Sequence, residues 1–176
     1  MARQIPSKPV ISLRNYRESD LDRLVEMANN ENVSRYLADA FPFPYTPDDG
    51  RWWLNEGTKS GVVKAIEYDG LMVGGIGAHP RGGVHRKQAT VGYWIAEPYW
   101  GKGIATEALR LLCAELFAST ELNKLHAWVF SANPASMKVL KNAGFHQEAV
   151  LKDSLFKHGQ FYDEHIFVRF RDGGGT

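Results

Sequence analysis

A glycine-rich turn caught between a strand and a helix constrains this chain more than any other feature. Ala89 to Ile95 reads as a strand, Glu97-Pro98-Tyr99-Trp100-Gly101-Lys102-Gly103 follows, and Ile104 to Phe117 carries apolar residues at helical spacing. A helix entered from such a turn presents N–H groups without intrahelical partners and the positive end of its dipole, so the turn is fitted to hold phosphate. Two familiar phosphate loops fail on residue identity. No Lys-Ser or Lys-Thr follows a four-residue gap as in a P-loop, and no third glycine stands at dinucleotide spacing.

Composition narrows the partners. The 21 Lys and Arg against 20 Asp and Glu leave a formal charge of +1, which disfavours a phosphate-backbone binding face and so nucleic acid. Cys113 is the only cysteine, which excludes an internal disulfide and a thiolate zinc cluster. Apolar runs fall short of the roughly 18 residues of a membrane span, and the first residues lack a secretory core. A reducing cytoplasm, no membrane partner and no metal are the expectations, the six histidines being scattered.

Along the chain, residues 1–8 read as a flexible start, 9–171 as one domain, and 172–176 as a flexible tail. Val10 to Arg14 is a first strand, and Ser19 is expected to cap a helix from Asp20 whose Leu21, Leu24, Val25 and Ala28 share a face. A short helical piece is expected over Val33 to Leu37. Phe41-Pro42-Phe43-Pro44-Tyr45 then forbids regular helix and presents three aromatics from a loop. Thr46-Pro47 starts a helix containing Trp52 and Trp53. Val62 to Tyr68 and Leu71 to Ala78 form a hairpin through Asp69-Gly70. Leu125 to Phe130 is a buried strand, a helix runs from Asn133-Pro134 to Ala143 with Gly144 ending it, and strands over Gln147 to Phe156 and Phe161 to Phe170 close the chain.

Tyr99-Trp100-Gly101-Lys102-Gly103-Ile104-Ala105-Thr106-Glu107-Ala108 resembles the acetyl-CoA signature of the GNAT N-acetyltransferases, in the branch similar to the ribosomal-protein N-terminal acetyltransferases RimJ and RimL. Val91-Gly92-Tyr93-Trp94-Ile95 before it, Asn133-Pro134-Ala135-Ser136 with Leu140, Gly144 and Phe145 after it, and Gly159-Gln160-Phe161-Tyr162-Asp163 near the end match in order. The resemblance spans roughly residues 9 to 171. It implies an α/β (α+β) GNAT fold: a mixed, mostly antiparallel sheet splayed at strands 4 and 5 and flanked by helices. It also implies an acetyl-CoA-dependent transfer to a primary amine, a protein N-terminus or a small molecule, by direct attack in a ternary complex. The alternative of a different class is a non-catalytic acyl-CoA-binding or regulatory module. The signature departs from the general family pattern at one place: Trp100 stands where Gln or Arg is usual.

By that resemblance the pantetheine arm lies between the splayed strands and bonds backbone groups of Trp94, Ile95 and Ala96, while an N–H near Tyr93 to Ile95 polarises the thioester carbonyl. Trp94 is as readily a buried strand residue. The cofactor phosphates fall to Trp100, Gly101, Lys102, Gly103, Ile104, Ala105 and Thr106, chiefly through their N–H groups; Lys102 either adds charge at the mouth or is solvated. Asn133 is a cofactor contact or a helix cap, and Ser136 a second contact and the proton donor to the leaving thiolate, or simply a first-turn residue. The family's usual tyrosine is absent from that helix, and Thr90 replaces the glutamate that many relatives carry as base. Glu97, His79, His126 or a water relay remain for that role, with Glu97 the named candidate. Phe41, Phe43, Tyr45 and Tyr93 are the candidate acceptor contacts. Cys113, among Leu109, Leu112 and Leu116, reads as a core residue and not a covalent nucleophile. The late hairpin and exposed aromatics leave room for a homodimer.

Overall fold

The computed structural model describes residues 9–172; the expectations for 1–8 and for 173–176 lie outside the described residues. Seven strands form one sheet in the order β1-β2-β3-β4-β5-β7-β6. They are β1 (Ile11–Arg14), β2 (Val62–Tyr68), β3 (Leu71–Pro80), β4 (Gln88–Ile95), β5 (Lys124–Phe130), β6 (His146–Lys157) and β7 (Gln160–Phe170). Only β4 and β5 run parallel; the other neighbours are antiparallel. The helices are α1 (Leu21–Ala28), α2 (Glu31–Ser34), α3 (Pro47–Asn55), α4 (Ile104–Ser119) and α5 (Pro134–Asn142).

Local chemistry explains most of these boundaries. Asp69 and Gly70 both take positive φ, 50° and 80°, the geometry a two-residue hairpin loop demands. Thr46 caps α3 by accepting the Asp49 N–H, Asp49 accepts the Thr46 N–H in return, and Pro47 fills the first helical position. Two starts differ from the sequence expectation. Ser19 caps nothing: it lies inside a 3-10 turn, Glu18–Asp20, because the Asp20 carboxylate accepts both the Arg17 N–H and a two-pronged bond from Arg14 at 2.7 and 2.8 Å. The short helix begins earlier than Val33, since the Asn30 side chain accepts the Asn32 and Val33 N–H groups and fixes its start at Glu31.

The sheet is covered on both faces. On one, α4 buries Ile104, Ala108, Leu109, Leu112, Cys113 and Leu116 against strand residues such as Ile66, Val73, Ile76, Leu125 and Phe167. On the other, Leu24 and Ala28 of α1 and Tyr45 pack against Ala65, Met72, Trp94 and Ala96. Burial of these apolar side chains is the dominant stabilising term.

The position of the site follows from one interruption. The parallel pairing of β4 with β5 covers only Gln88↔Lys124, Ala89↔Leu125 and Thr90↔His126. β4 stays paired to β3 as far as Ile95, and β5 stays paired to β7 as far as Phe130. Each strand thus remains anchored on its outer side while the inner edges part, leaving a gap within the sheet.

Candidate functional site

Register decides which backbone groups enter that gap. The Ala96 N–H donates to the Val73 carbonyl at 2.8 Å. By the alternation of an antiparallel ladder, the groups of Ala96, Trp94 and Gly92 serve β3, and those of Val91, Tyr93 and Ile95 point the other way. The same alternation holds at the paired end, where the Lys87 carbonyl accepts the Asn123 N–H at 2.8 Å. Of the three residues expected to bond a pantetheine arm by backbone, Ile95 alone faces the gap, joined by Tyr93. Trp94 and Ala96 are engaged with β3, and the Trp94 indole packs 5.6 Å from the Phe41 ring.

The gap leads to the glycine turn. Gly101 and Gly103 adopt φ of 73° and 74°, a left-handed backbone that favours glycine. A Cβ at either would meet nothing within 4 Å, so the space above the turn is open. The first helical bond of α4 runs from the Glu107 N–H to the Gly103 carbonyl. Among the described residues, the N–H groups of 101 to 106 have no protein acceptor, and they gather where the α4 dipole is positive.

Trp100 joins the turn to the preceding strand through its side chain. Its indole Nε1 donates to the Ile95 carbonyl at 2.6 Å, clipping the end of β4 to the turn, while the ring remains half-exposed. Lys102 folds back over the rings of Tyr99 and Tyr68, 5.1 and 5.7 Å from their centroids, a cation–π arrangement that holds the ammonium near the turn.

On the far side of the gap, Asn133 caps α5 by accepting the Ser136 N–H at 3.2 Å. Ser136 Oγ lies 2.6 Å from the Tyr93 hydroxyl. That contact joins β4 to α5 across the opening, and burial pushes the Tyr93 phenol up to about 12. The link between residues 43 apart had no sequence signal.

The remaining candidates separate. Both oxygens of Glu97 accept amide bonds, from Asn30 Nδ2 at 2.7 Å and Asn32 Nδ2 at 3.0 Å, so this carboxylate ties α2 to the end of β4. His79 bonds Ser60 through Nδ1. His126 Nε2 pairs with Gln88 Oε1 at 2.7 Å, and burial, then Lys124 and Arg81, hold its pKa below the ordinary value. Tyr45 is core, 5% exposed, with the Phe41 ring packed at an angle between it and Trp94; of the loop aromatics only Phe43 is open to solvent. Cys113 is fully buried.

Sequence reading passed over a second aromatic group. Tyr36, just past α2, lies 5.7 Å from Phe130 on β5 and 6.5 Å from Tyr162 on β7, and Trp128 lies 5.9 Å from Phe130. Lys157, on the β6–β7 hairpin, donates to the Ser34 and Leu37 carbonyls at 3.0 and 2.5 Å. The segment around α2 is therefore fastened to the β4 half of the sheet through Glu97 and to the β5–β7 half through Lys157 and Tyr36. A run of aromatics on alternate β5 positions was the available signal for Trp128 and Phe130.

The described residues hold no helix long and apolar enough to cross a membrane. A family profile described as an acetyltransferase (GNAT) domain matches residues 11–146. The Bacillus subtilis (strain 168) protein YdaF, whose name assigns it provisionally to the ribosomal N-acetyltransferases, is 31% identical over 163 residues, 87% of each chain. Spermidine N(1)-acetyltransferase of Escherichia coli (strain K12) is 28% identical over 89% of this chain and 84% of its own. Among solved structures, RimL, a ribosomal L7/L12 α-N-protein acetyltransferase in complex with coenzyme A, superimposes with a TM-score of 0.83 at 21% identity, covering 97% and 99% of the two chains.

Proposed function

The chain belongs to the GNAT acetyltransferases and is an acetyl-CoA-dependent N-acetyltransferase, and from that premise we propose which of its groups do the work and on what acceptor. Acetyl-CoA supplies an activated acyl carbon and a thiol leaving group. The open edge of β4 fits the pantetheine arm, because Tyr93 directs its N–H and carbonyl, and Ile95 its N–H, into a space no strand fills, the Ile95 carbonyl being taken by Trp100. The unpartnered N–H groups of 101 to 106 take the phosphates, and the open volume at Gly101 and Gly103 admits them. The single observation that carries this reading is the continuity of the two: a free strand edge running into a free helix N-terminus.

Within the gap, the Tyr93 or Ile95 N–H stabilises negative charge as it develops on the thioester oxygen. Ser136 protonates the departing sulfur. Attack is direct, since Cys113 is sealed in the core. Among the described residues, Thr90 occupies the usual glutamate position, and Glu97 already accepts from two amides. Water therefore carries the proton away from the amine.

The acceptor is a primary amine, entering over Gly92. That residue is exposed in mid-strand and a Cβ there would meet nothing within 4 Å, so the sheet offers a bare floor at that point. A peptide N-terminus, as in the name of RimL, and a polyamine, as in that of the spermidine enzyme, are the two acceptor classes to test. The exposed Phe156 and Phe161 rings, 4.9 Å apart on the late hairpin, are the surface for a second copy of the chain. The decisive experiment incubates the protein with acetyl-CoA and a panel of N-terminal peptides and small amines and follows free thiol. Acceptor-dependent thiol release is expected; tight acetyl-CoA binding with no release across the panel would overturn the proposal.

A further inference from the structure

Tyr93 Oη and Ser136 Oγ lie 2.6 Å apart, and Tyr93 Oη also lies 3.3 Å from the Ser136 carbonyl. Ser136 is fixed beneath this contact, because its N–H is held by the Asn133 cap. Two proton arrangements satisfy the pair. Either Tyr93 donates to the carbonyl and the serine proton turns to Tyr93, or Tyr93 donates to Ser136 Oγ and the serine proton is free for another acceptor. Tyr93 lies on β4 beyond its last pair with β5, and Ser136 lies in the first turn of the helix that follows β5, so the contact links the two parted halves of the sheet.

We propose that Tyr93 is a positioning and proton-relay residue for acetyl transfer, donating to Ser136 Oγ so that the serine proton is aimed at the leaving sulfur. This rests on the placement of the transfer in the β4–β5 gap. In the step, the amine nitrogen bonds to the carbonyl carbon, the carbon–sulfur bond breaks, and sulfur keeps the electron pair and takes the Ser136 proton. Ser136 Oγ recovers a proton from Tyr93, and Tyr93 regains one from water, which received the proton that the amine nitrogen released. The Tyr93–Ser136 pair thus ends as it began. An aliphatic alcohol alone is a weak acid, whereas a phenol behind it shares the developing charge through a short hydrogen bond. α5 carries no tyrosine of its own, and the phenol that meets Ser136 comes from β4.

Tyr93→Phe tests the relay, since it removes one oxygen and keeps the ring that packs on the core. Single-turnover rates, acetyl-CoA affinity by calorimetry and melting temperature are measured for Tyr93→Phe, Ser136→Ala and the double variant. We expect the chemical step to slow by about 10²-fold in each single variant, with acetyl-CoA Kd and acceptor KM within about twofold of the parent. The double variant should be no slower than the slower single one, because both remove the same device. A Tyr93→Phe rate within about twofold of the parent, or losses that multiply in the double variant, would overturn the relay while leaving the gap as the transfer site. Absence of turnover in the parent would overturn both. Ser136→Ala approaches the same contact from α5, so the comparison stands even if Tyr93→Phe lowers the melting temperature.

Discussion

Gly103→Asp is the sharpest probe of where the cofactor phosphates lie. Gly103 starts α4 at φ 74°, and its missing side chain would project into open space. Two effects can be separated in advance. An L-residue in this left-handed backbone costs about 1–2 kcal/mol of stability, least for Asn and Asp; with no steric clash, nothing further is lost, so the domain stays folded. A new carboxylate facing a pyrophosphate of charge about −2 across about 6 Å adds repulsion of about 1.4 kcal/mol at an effective dielectric of 80 and about 5.5 kcal/mol at 20. Acetyl-CoA affinity should therefore fall at least tenfold relative to Gly103→Asn, which imposes the same backbone strain without charge. Raising the salt should narrow the difference, because the repulsion is partly screened. Calorimetric titration of both variants, with ligand-free melting curves as control, measures this. Equal affinities for the Asp and Asn variants would refute the placement of the phosphates on residues 101 to 106.

Three other outcomes follow from burial. Burial holds the folded pKa of His126 below the unfolded value of about 6.5; stability should be complete above that pH and decline as pH falls below it, with partial exposure of the ring keeping the loss under about 1 kcal/mol. His126→Gln should flatten that limb of a melting-temperature profile between pH 7.5 and 5.5, and an unchanged profile would assign the loss to other groups. Cys113, with its thiol pushed up to about 11 by burial, should resist aromatic disulfide reagents in the native state and react only on unfolding; rapid native labelling would contradict its core position. Tyr45→Ala should cost about 3–5 kcal/mol of stability in denaturant melts, whereas Phe43→Ala, at a half-exposed ring, should stay within about 0.5 kcal/mol; the reverse order would return Tyr45 to the acceptor surface.

What could be read from the sequence was whatever a short stretch determines by itself. Thr46-Pro47 capped a helix and Asp69-Gly70 closed a hairpin as their local chemistry requires. The strand, glycine turn and helix around residue 101 were legible for the same reason, and with them the class of the site. Long-range pairing was not. Which of Trp94, Ile95 and Ala96 faces the gap depends on a register with β3 that no local pattern encodes, and the clip from Trp100 to Ile95 exists only once the chain has turned. Tyr45 misleads because prolines mark its segment as irregular, yet the irregular backbone lets the ring drop into the core beneath Phe41. Glu97 is a different case: the two amides that donate to its carboxylate come from residues 65 or more positions earlier, so its tie to α2 leaves no local trace in the sequence.

The fastening of α2 to both sides of the opening has a consequence for the sheet as a whole. Two strand edges lined with unpaired groups, a short distance apart and parallel at their base, would ordinarily zip together. With one end moored by Glu97 and the other by Lys157, the segment acts as a spreader bar that resists this self-healing. A chain inserted there would meet strand edges already held apart by these bonds, which would lower the ordering cost of its binding.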